Sequence, residues 1–259
     1  MAFVNYATRN IAIKVVYYGP GLSGKTTNLR YIFTMMDEES RGDLLCLETP
    51  AERTLFFDLL PIKAGLICDF RTHFQLLTVP GQVFYEASRK SVLKGTDGII
   101  YVADSQVPLL DANLENFDGL RKNLLEYDMD INFIPLVFQY NKRDLDNLIP
   151  VETFNNLLNP HGLPYIESSA INGKGVFETL KEIARMTVPV VEEKVFGKKG
   201  QTKKKEEIEK ELKSSKKEEI IFSSEENRSP LRLKKIKFSS QKDIEKEIEV
   251  LVQEFTKEK

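Results

Sequence analysis

The sequence has few cysteines and no long apolar run, and these two absences narrow the class of protein. Cys46 and Cys68 stand alone in apolar surroundings without the spacing of a metal site, which indicates reduced thiols. No stretch of about 18 or more apolar residues occurs, so no transmembrane helix is predicted. The N-terminus lacks a signal-peptide pattern, and neither end carries a lipidation motif. We therefore expect a cytoplasmic protein without integral membrane association.

The net charge is also small, but it is unevenly distributed along the chain. The 259 residues carry a formal charge of −2. Residues 1–190 contain 18 basic and 23 acidic side chains, whereas residues 191–259 contain 19 basic and 16 acidic ones. Because the first part is acidic and the positive charge of the second is mostly cancelled, no nucleic-acid partner is expected. We interpret residues 1–190 as one folded domain and residues 191–259 as a Lys/Glu-rich tail, mostly disordered.

One part of the tail has a helical pattern. Between residues 243 and 255, apolar side chains recur at three- and four-residue spacing and form one stripe. The stripe consists of Ile244, Ile248, Leu251, Val252 and Phe255. An isolated helix of this length is marginal in water, so an amphipathic helix here needs a partner surface.

Apolar runs alternate with helix-compatible segments along residues 1–190. The predicted strands are Ile11–Tyr18, His73–Val79, Gly98–Ala103, Phe133–Tyr140 and Pro164–Glu167. The predicted helices are Lys25–Met36, Ser88–Leu93, Asn113–Tyr127, Pro150–Leu158 and Val176–Val190. A long segment, Asp37–Asp69, separates the first helix from the second strand. This alternation predicts an α/β fold with a largely parallel, doubly wound sheet, which binds ligands at the carboxyl ends of its strands.

A glycine-rich loop follows the first predicted strand and leads into the first predicted helix. It matches GxxxxGK[ST] and reads Gly19-Pro20-Gly21-Leu22-Ser23-Gly24-Lys25-Thr26-Thr27. The glycines let successive backbone N–H groups turn inward to bind phosphate, and the helix N-terminus adds its positive end. Lys25 would reach the β- and γ-phosphates, and the Thr26 hydroxyl would coordinate Mg²⁺. The strand before and the helix after disfavour an ordinary glycine-rich turn, but the loop alone does not select a base.

A second motif selects guanine. Directly after the fourth predicted strand comes Asn141-Lys142-Arg143-Asp144. The Asp144 carboxylate can accept hydrogen bonds from both guanine N1–H and N2–H₂, a donor pair that adenine lacks. Asn141 would brace the loop and the base, and the Lys142 stem would cover the ring. One strand–helix unit later, Ser169-Ala170 would complete the base pocket, with the Ala170 N–H as donor.

A third motif, Thr78-Val79-Pro80-Gly81-Gln82, ends the second predicted strand. Its Gly81 N–H can donate to the γ-phosphate, and Gln82 can orient the attacking water. Taken alone, the motif is equally consistent with an ordinary Pro-Gly turn.

Together the segments GPGLSGKTT, TVPGQ, NKRD and SSA resemble the Ras superfamily of small GTPases, and most of all the bacterial MglA family. The resemblance covers roughly residues 1–190. It implies a Ras-like P-loop GTPase fold, with a mostly parallel six-stranded sheet, helices on both faces and a charged C-terminal extension. It also implies that Arg53 is a catalytic arginine within the chain and that Thr54 joins Thr26 at Mg²⁺. Thr78 stands where most small GTPases have a magnesium-supporting aspartate. We therefore expect no charged helper, weak magnesium binding and slow unassisted turnover.

The resemblance implies an enzyme that binds GTP with Mg²⁺ and slowly hydrolyses it to GDP, as a switch in bacterial cell polarity or motility. Its catalytic residues would be Gln82 and Arg53. It also implies a Roadblock/LC7-type activating partner similar to MglB, downstream effectors and recruitment to a cell pole. Two alternatives stay open. A GTP-binding scaffold with negligible hydrolysis is favoured by Thr78 and opposed by Gln82 and Arg53. An ATP-dependent kinase or ATPase is disfavoured by the guanine motif.

Overall fold

The computed structural model describes residues 2–46, 57–81 and 86–197, together with the backbone of residues 198–215. The strands in this part are β1 (Phe3–Asn5), β2 (Asn10–Tyr18), β3 (Leu45–Cys46), β4 (Asp58–Ile67), β5 (Phe70–Thr78), β6 (Gly98–Asp104), β7 (Leu136–Asn141) and β8 (Tyr165–Glu167). The α-helices are α1 (Lys25–Met35), α2 (Glu86–Leu93), α3 (Leu110–Leu125), α4 (Val151–Leu157) and α5 (Val176–Ser215). A short 3₁₀ helix, Val107–Leu109, precedes α3.

All these strands form one sheet in the order β3-β4-β5-β2-β6-β7-β8, and β1 pairs with the start of β2. The strands β5, β2, β6, β7 and β8 are parallel to one another, whereas β4 runs antiparallel to β5. The sheet is therefore mostly parallel, as predicted. The carboxyl ends of β2, β5, β6 and β7 lie at one edge, where the sequence motifs begin.

The sheet has eight strands among the described residues rather than the six expected. Three of the eight, β1, β3 and β4, lie outside the five segments predicted as strands, and β1 and β3 have only three and two residues. The main omission is β4, which lies inside the segment Asp37–Asp69. Pro61 and Gly65 interrupt its apolar pattern, and both residue types weaken a strand prediction. A register shift between Lys63 and Leu66 accommodates the irregular part.

Helices cover both faces of the sheet, in agreement with the predicted doubly wound architecture. Alternate residues of β2 point to opposite faces, as the period of a strand requires. Ile13 and Val15 pack in the apolar cluster shared with α1 and α5. Val16 and Tyr18 pack in the cluster shared with α2, α3 and α4.

The closing helix is longer than predicted. The expected end was Val190, directly after Pro189, whose missing N–H and ring disfavour a helix interior. In the structure α5 continues to Ser215, with a break in helical geometry at Gly197. Val191 is buried, and Val195 and Phe196 pack against the same apolar cluster, so packing carries the helix past the proline. The predicted tail helix at 243–255 lies outside the described residues.

Within the part of the chain that the structure describes, no helix is both long and apolar enough to cross a membrane.

Candidate functional site

The glycine-rich loop joins β2 to α1 and lies tightly against neighbouring segments. Gly19 has a φ of 150°, and a Cβ there would lie 2.2 Å from the Val102 carbonyl oxygen on β6. Gly24 has a φ of 100°, and its Cβ would lie 2.2 Å from Asn141 Nδ2. Leu22, between them, also has a positive φ of 60° and an exposed side chain. The backbone path therefore requires glycine at both positions.

The remaining loop residues face in different directions. Ser23 is fully buried, and its hydroxyl has no hydrogen-bond partner among the described residues. Gly21 lies against Gly81 of the third motif, where an added Cβ would be 2.4 Å from the Gly21 nitrogen. Thr26 is half-buried and Thr27 is exposed on the first turn of α1. The structure thus brings the first and third motifs into direct contact.

Lys25 is the first residue of α1 and only 6% exposed. Its ammonium group donates hydrogen bonds to the carbonyl oxygens of Gly19 at 2.9 Å and Pro20 at 2.7 Å. Burial lowers the pKa of Lys25 to about 7, the Arg89 guanidinium acts in the same direction, and Asp58 opposes them. A phosphate group in this loop would supply the compensating negative charge that neutral carbonyl groups lack.

A buried carboxylate lies beside the loop. Asp58, the first residue of β4, is 0% exposed, and its Oδ2 accepts hydrogen bonds from Thr26 Oγ1 at 2.6 Å and from Thr78 Oγ1 at 2.7 Å. The Asp58 N–H in turn donates to Thr78 Oγ1 at 2.9 Å. The other carboxylate oxygen, Oδ1, is buried without a hydrogen-bond partner in the described part of the chain. A buried charge with a free lone pair next to two hydroxyl groups is suited to a hard cation such as Mg²⁺.

The sequence predicts no charged group beside Thr78, but the structure has a carboxylate there. Thr78 is indeed a neutral residue at the end of β5. However, the antiparallel pairing of β4 with β5 places Asp58 directly beside it. The carboxylate comes from the neighbouring strand instead of from the motif itself. The premise of weak magnesium binding, a missing charge beside Thr78, is therefore wrong, whereas the magnesium affinity itself stays a prediction.

Asn141, the last residue of β7, links the glycine-rich loop to the second motif. Its Nδ2 donates to the Ser23 carbonyl oxygen at 2.7 Å. Its Oδ1 accepts from the Ala170 N–H at 2.8 Å and from Ser168 Oγ at 3.1 Å. One buried amide thus braces three loops. The Ala170 N–H, which the sequence predicts as a donor to the base, donates to Asn141 in this structure.

The rest of the second motif, residues 142–144, follows Asn141 and is partly or fully exposed to solvent. Lys142 has a φ of 67°, and its ammonium group forms a 2.6 Å ion pair with Asp104, whose side chain is 2% exposed. Arg143 pairs with Glu167 at 2.9 Å and donates to the Ile149 carbonyl oxygen at 2.8 Å. Asp144 is exposed, so its carboxylate remains accessible to a ligand. Ser169 is buried behind the motif.

Buried amides behind the site join the two halves of the sheet edge. Asn28 on α1 and Gln139 on β7 exchange two hydrogen bonds, of 2.9 and 3.0 Å. Asn28 also donates to the Gly24 carbonyl oxygen at 2.9 Å, and Gln139 donates to Thr179 Oγ1 on α5 at 3.1 Å. Because Asn28, Gln139 and Thr179 are all fully buried, these bonds hold the phosphate loop and the base motif in a fixed relation.

Three predicted site residues, Arg53, Thr54 and Gln82, lie outside the described residues. The residue that sequence reasoning missed is Asp58. Its signal is a single charge among apolar neighbours, in the segment Phe57-Asp58-Leu59-Leu60. A buried charge is expensive unless it is paired, so such an isolated position is a reasonable place to look for a ligand-binding group.

The site combines a phosphate-binding loop, a buried carboxylate–hydroxyl cluster and an accessible aspartate beside a braced loop, all at one edge of the sheet. That combination suits a nucleotide with a divalent cation. No protein-family model matches the chain. The chain is, however, 52% identical over 188 residues to the mutual gliding-motility protein MglA of Myxococcus xanthus, a match that spans 73% of this chain and 96% of that protein. This chain therefore belongs to the MglA family of Ras-like small GTPases.

Proposed function

We propose that this GTPase is a magnesium-dependent switch whose GTP-bound form controls cell polarity or gliding motility. The observation that carries the proposal is the meeting of the phosphate loop, the Asp58 cluster and the Asn141 brace at one sheet edge. The cellular output is suggested by the printed name of the 52% identical relative, which is a gliding-motility protein.

In this proposal Thr26 and Thr54 would hold Mg²⁺, and Asp58 with Thr78 would supply negative charge and hydrogen-bond acceptors beside it. The donor set fits the ion, since it provides oxygen atoms, one negative charge and a carboxylate oxygen left without a partner in the described residues. When bound, magnesium supplies positive charge to the phosphate oxygens. The Thr26 hydroxyl, which donates to Asp58 at 2.6 Å, is already held at the loop.

The phosphates would lie along Gly19, Gly21, Leu22, Ser23 and Gly24, with Lys25, Thr26 and Thr27 at the helix start. Lys25 would then exchange two carbonyl partners for phosphate oxygens. Gly81 would approach the γ-phosphate, because it already touches the loop. The guanine base would bind beside Asn141, Lys142, Asp144, Ser169 and Ala170, where Asp144 gives selectivity over adenine.

For hydrolysis we assign two roles by the family resemblance. Gln82 orients the attacking water, and Arg53 stabilises the charge that develops in the transition state. A Roadblock/LC7-type partner similar to MglB would stimulate turnover, effectors would bind the GTP form, and the cytoplasmic protein would be recruited to a cell pole. The alternative of a non-hydrolysing scaffold depended on Thr78, and the Asp58 carboxylate removes most of that support.

Three measurements test the proposal. Nucleotide released by denaturing the purified protein should be GDP or GTP, and recovery of adenine nucleotide would refute the base assignment. Single-turnover phosphate release should be slow alone and faster with the activating partner.

Arg53→Ala should slow hydrolysis by about 10³- to 10⁵-fold while leaving nucleotide affinity near normal. The matched control is Arg121→Ala, which removes an exposed arginine on α3. Unchanged turnover in the Arg53 variant would refute its catalytic role.

A further inference from the structure

An apolar groove lies at the sheet edge opposite the nucleotide site, between β1 and the end of α5. We call it the basal groove. Its lining residues are Ala2, Val4, Tyr6, Val191, Lys194 and Val195. Because β1 pairs with the start of β2, and α5 runs back along the sheet to this end, the groove is remote from the phosphate loop.

Large apolar side chains around the basal groove remain exposed. Phe3 is 70% exposed and Tyr6 is 66% exposed. Tyr6 packs edge-on against Phe70 with ring centroids 5.8 Å apart, and Phe70 packs against Phe196 of α5 at 5.3 Å. These aromatic rings pack against one another, and Tyr6 at the end of the row is exposed to solvent. An open apolar surface with a polar rim is typical of a binding surface.

The chain itself supplies a matching segment. α5 passes the basal groove at Val195 and Phe196, breaks helical geometry at Gly197, and continues to Ser215. Later in the sequence, the stripe of 243–255 has apolar side chains at helical spacing. The M. xanthus relative matches 73% of this chain, so the chain carries additional sequence beyond the match.

We propose that residues 243–255 fold back as a helix and bind the basal groove of their own chain, with the apolar stripe against Tyr6 and Val195. The segments between the basal groove and residue 243 are long enough for this return. Residues 198–215 extend at most about 27 Å as a helix, at about 1.5 Å per residue, so the chain must cover a similar distance to come back. A flexible linker of the length of 216–242 has a typical end-to-end distance of about 30 Å. A linker that matches its span gives the highest effective concentration, in the millimolar range.

The charges around the basal groove nearly cancel, so they do not attract the acidic segment. Residues 243–255 contain five acidic side chains and one lysine. Around the basal groove Lys194 is exposed at the lining, and Arg9 and Arg71 are exposed at the adjoining turns, where the Arg71 N–H donates to the Arg9 carbonyl oxygen. The acidic neighbours Asp69 and Glu193 are exposed, Glu192 is buried next to Val191, and Asp97 lies close enough to Lys194 to interact with it, so this positive charge is cancelled. The ionic contribution is therefore secondary to the apolar contact.

Hydrogen exchange of the full chain with GDP tests the proposal. Leu251→Asp places a charge in the middle of the stripe, whereas Gln253→Asp places the same charge on the opposite face of the helix. Burying one leucine is sufficient for about a tenfold effect on docking, so amides of 243–255 and of β1 should exchange about tenfold faster in Leu251→Asp than in the unmodified chain. The Gln253→Asp control should behave as the unmodified chain. Tyr6→Asp changes the groove instead of the tail, at a side chain exposed enough to tolerate the charge. It should also speed up amide exchange of residues 243–255.

Equal exchange in the unmodified chain and Leu251→Asp would overturn the proposal. So would protection of 243–255 that grows with protein concentration, because that result assigns the groove to a second copy. Protection that appears only with vesicles containing acidic lipid would also overturn it. Protection that is independent of concentration and lost in both Leu251→Asp and Tyr6→Asp supports it.

Discussion

Replacing Asp58 with asparagine tests the chemistry of the phosphate site most directly, because it removes one charge and almost no volume. In the protein without metal, two effects oppose each other. The two hydroxyl hydrogen bonds, of 2.6 and 2.7 Å, become neutral, which costs about 1–3 kcal/mol in total. Removing a fully buried charge relieves a desolvation penalty of several kcal/mol. We therefore expect the free energy of unfolding in EDTA to change by less than about 2 kcal/mol.

With magnesium the two effects no longer cancel. Asp58 Oδ1 is buried without a partner among the described residues, and a cation nearby would be its natural partner. Losing a hydrogen bond between a charged group and the metal's water shell costs about 1.5–3 kcal/mol, so the magnesium concentration for half-maximal nucleotide retention should rise about 10- to 100-fold. The substitution should thus have little effect on the free energy of unfolding in EDTA but a large effect on nucleotide retention in magnesium.

The assay is the release rate of a fluorescent GDP analogue, measured against buffered free Mg²⁺. The control is Asp69→Asn, which makes the same change at the other end of the β4–β5 hairpin. Asp69 is exposed and has a φ of 64°, a conformation that asparagine tolerates. If Asp58→Asn keeps the magnesium midpoint of the unmodified protein but unfolds more easily in EDTA, the carboxylate is structural and the magnesium assignment is wrong.

Three further predictions concern the same site. With a pKa of about 7, the Lys25 amine is mostly neutral at pH 8 before nucleotide binds. Nucleotide binding at pH 8 should therefore take up nearly one proton, and nucleotide affinity should fall as the pH rises above 7. Calorimetry in buffers of different ionisation enthalpy should detect this uptake, and Lys25→Arg, which is always charged, should abolish it. Gly24→Ala should prevent nucleotide binding because its Cβ clashes with the bracing amide, whereas Gly119→Ala, in open space on α3, should raise stability by up to about 1 kcal/mol in urea unfolding. Thr78→Val leaves the Asp58 N–H without its acceptor and should cost about 1–3 kcal/mol; an unchanged urea midpoint would contradict this.

The parts of the site that the sequence predicts are those built from neighbouring residues. The loop from Gly19 to Thr27 specifies its own strand, turn and helix start, because glycine conformation and helix capping act locally. Asn141 is similarly recognisable, since its strand and its motif are contiguous. The fold class followed from the same local alternation, and family membership confirms it.

Asp58 could not be predicted in this way, because its role depends on a long-range pairing. Only the register between β4 and β5, in which Leu59 lies opposite Leu77, brings it beside Thr78. Pro61 and Gly65 also conceal the strand that carries it. The helix past Val190 was missed for a related reason: Pro189 is a local stop signal, and tertiary packing of Val195 overrides it.

The reciprocal amide pair of Asn28 and Gln139 has a consequence for how this family varies. Each side chain supplies the donor and acceptor that the other needs, in a place without access to water. Changing one partner alone leaves the other with unsatisfied buried polar atoms, which destabilises the fold by about 1–3 kcal/mol. Replacing both by apolar side chains can be nearly neutral for stability. These two positions, on different elements and far apart in sequence, should therefore change together or not at all among related chains, and a survey of natural sequences should find few single exchanges.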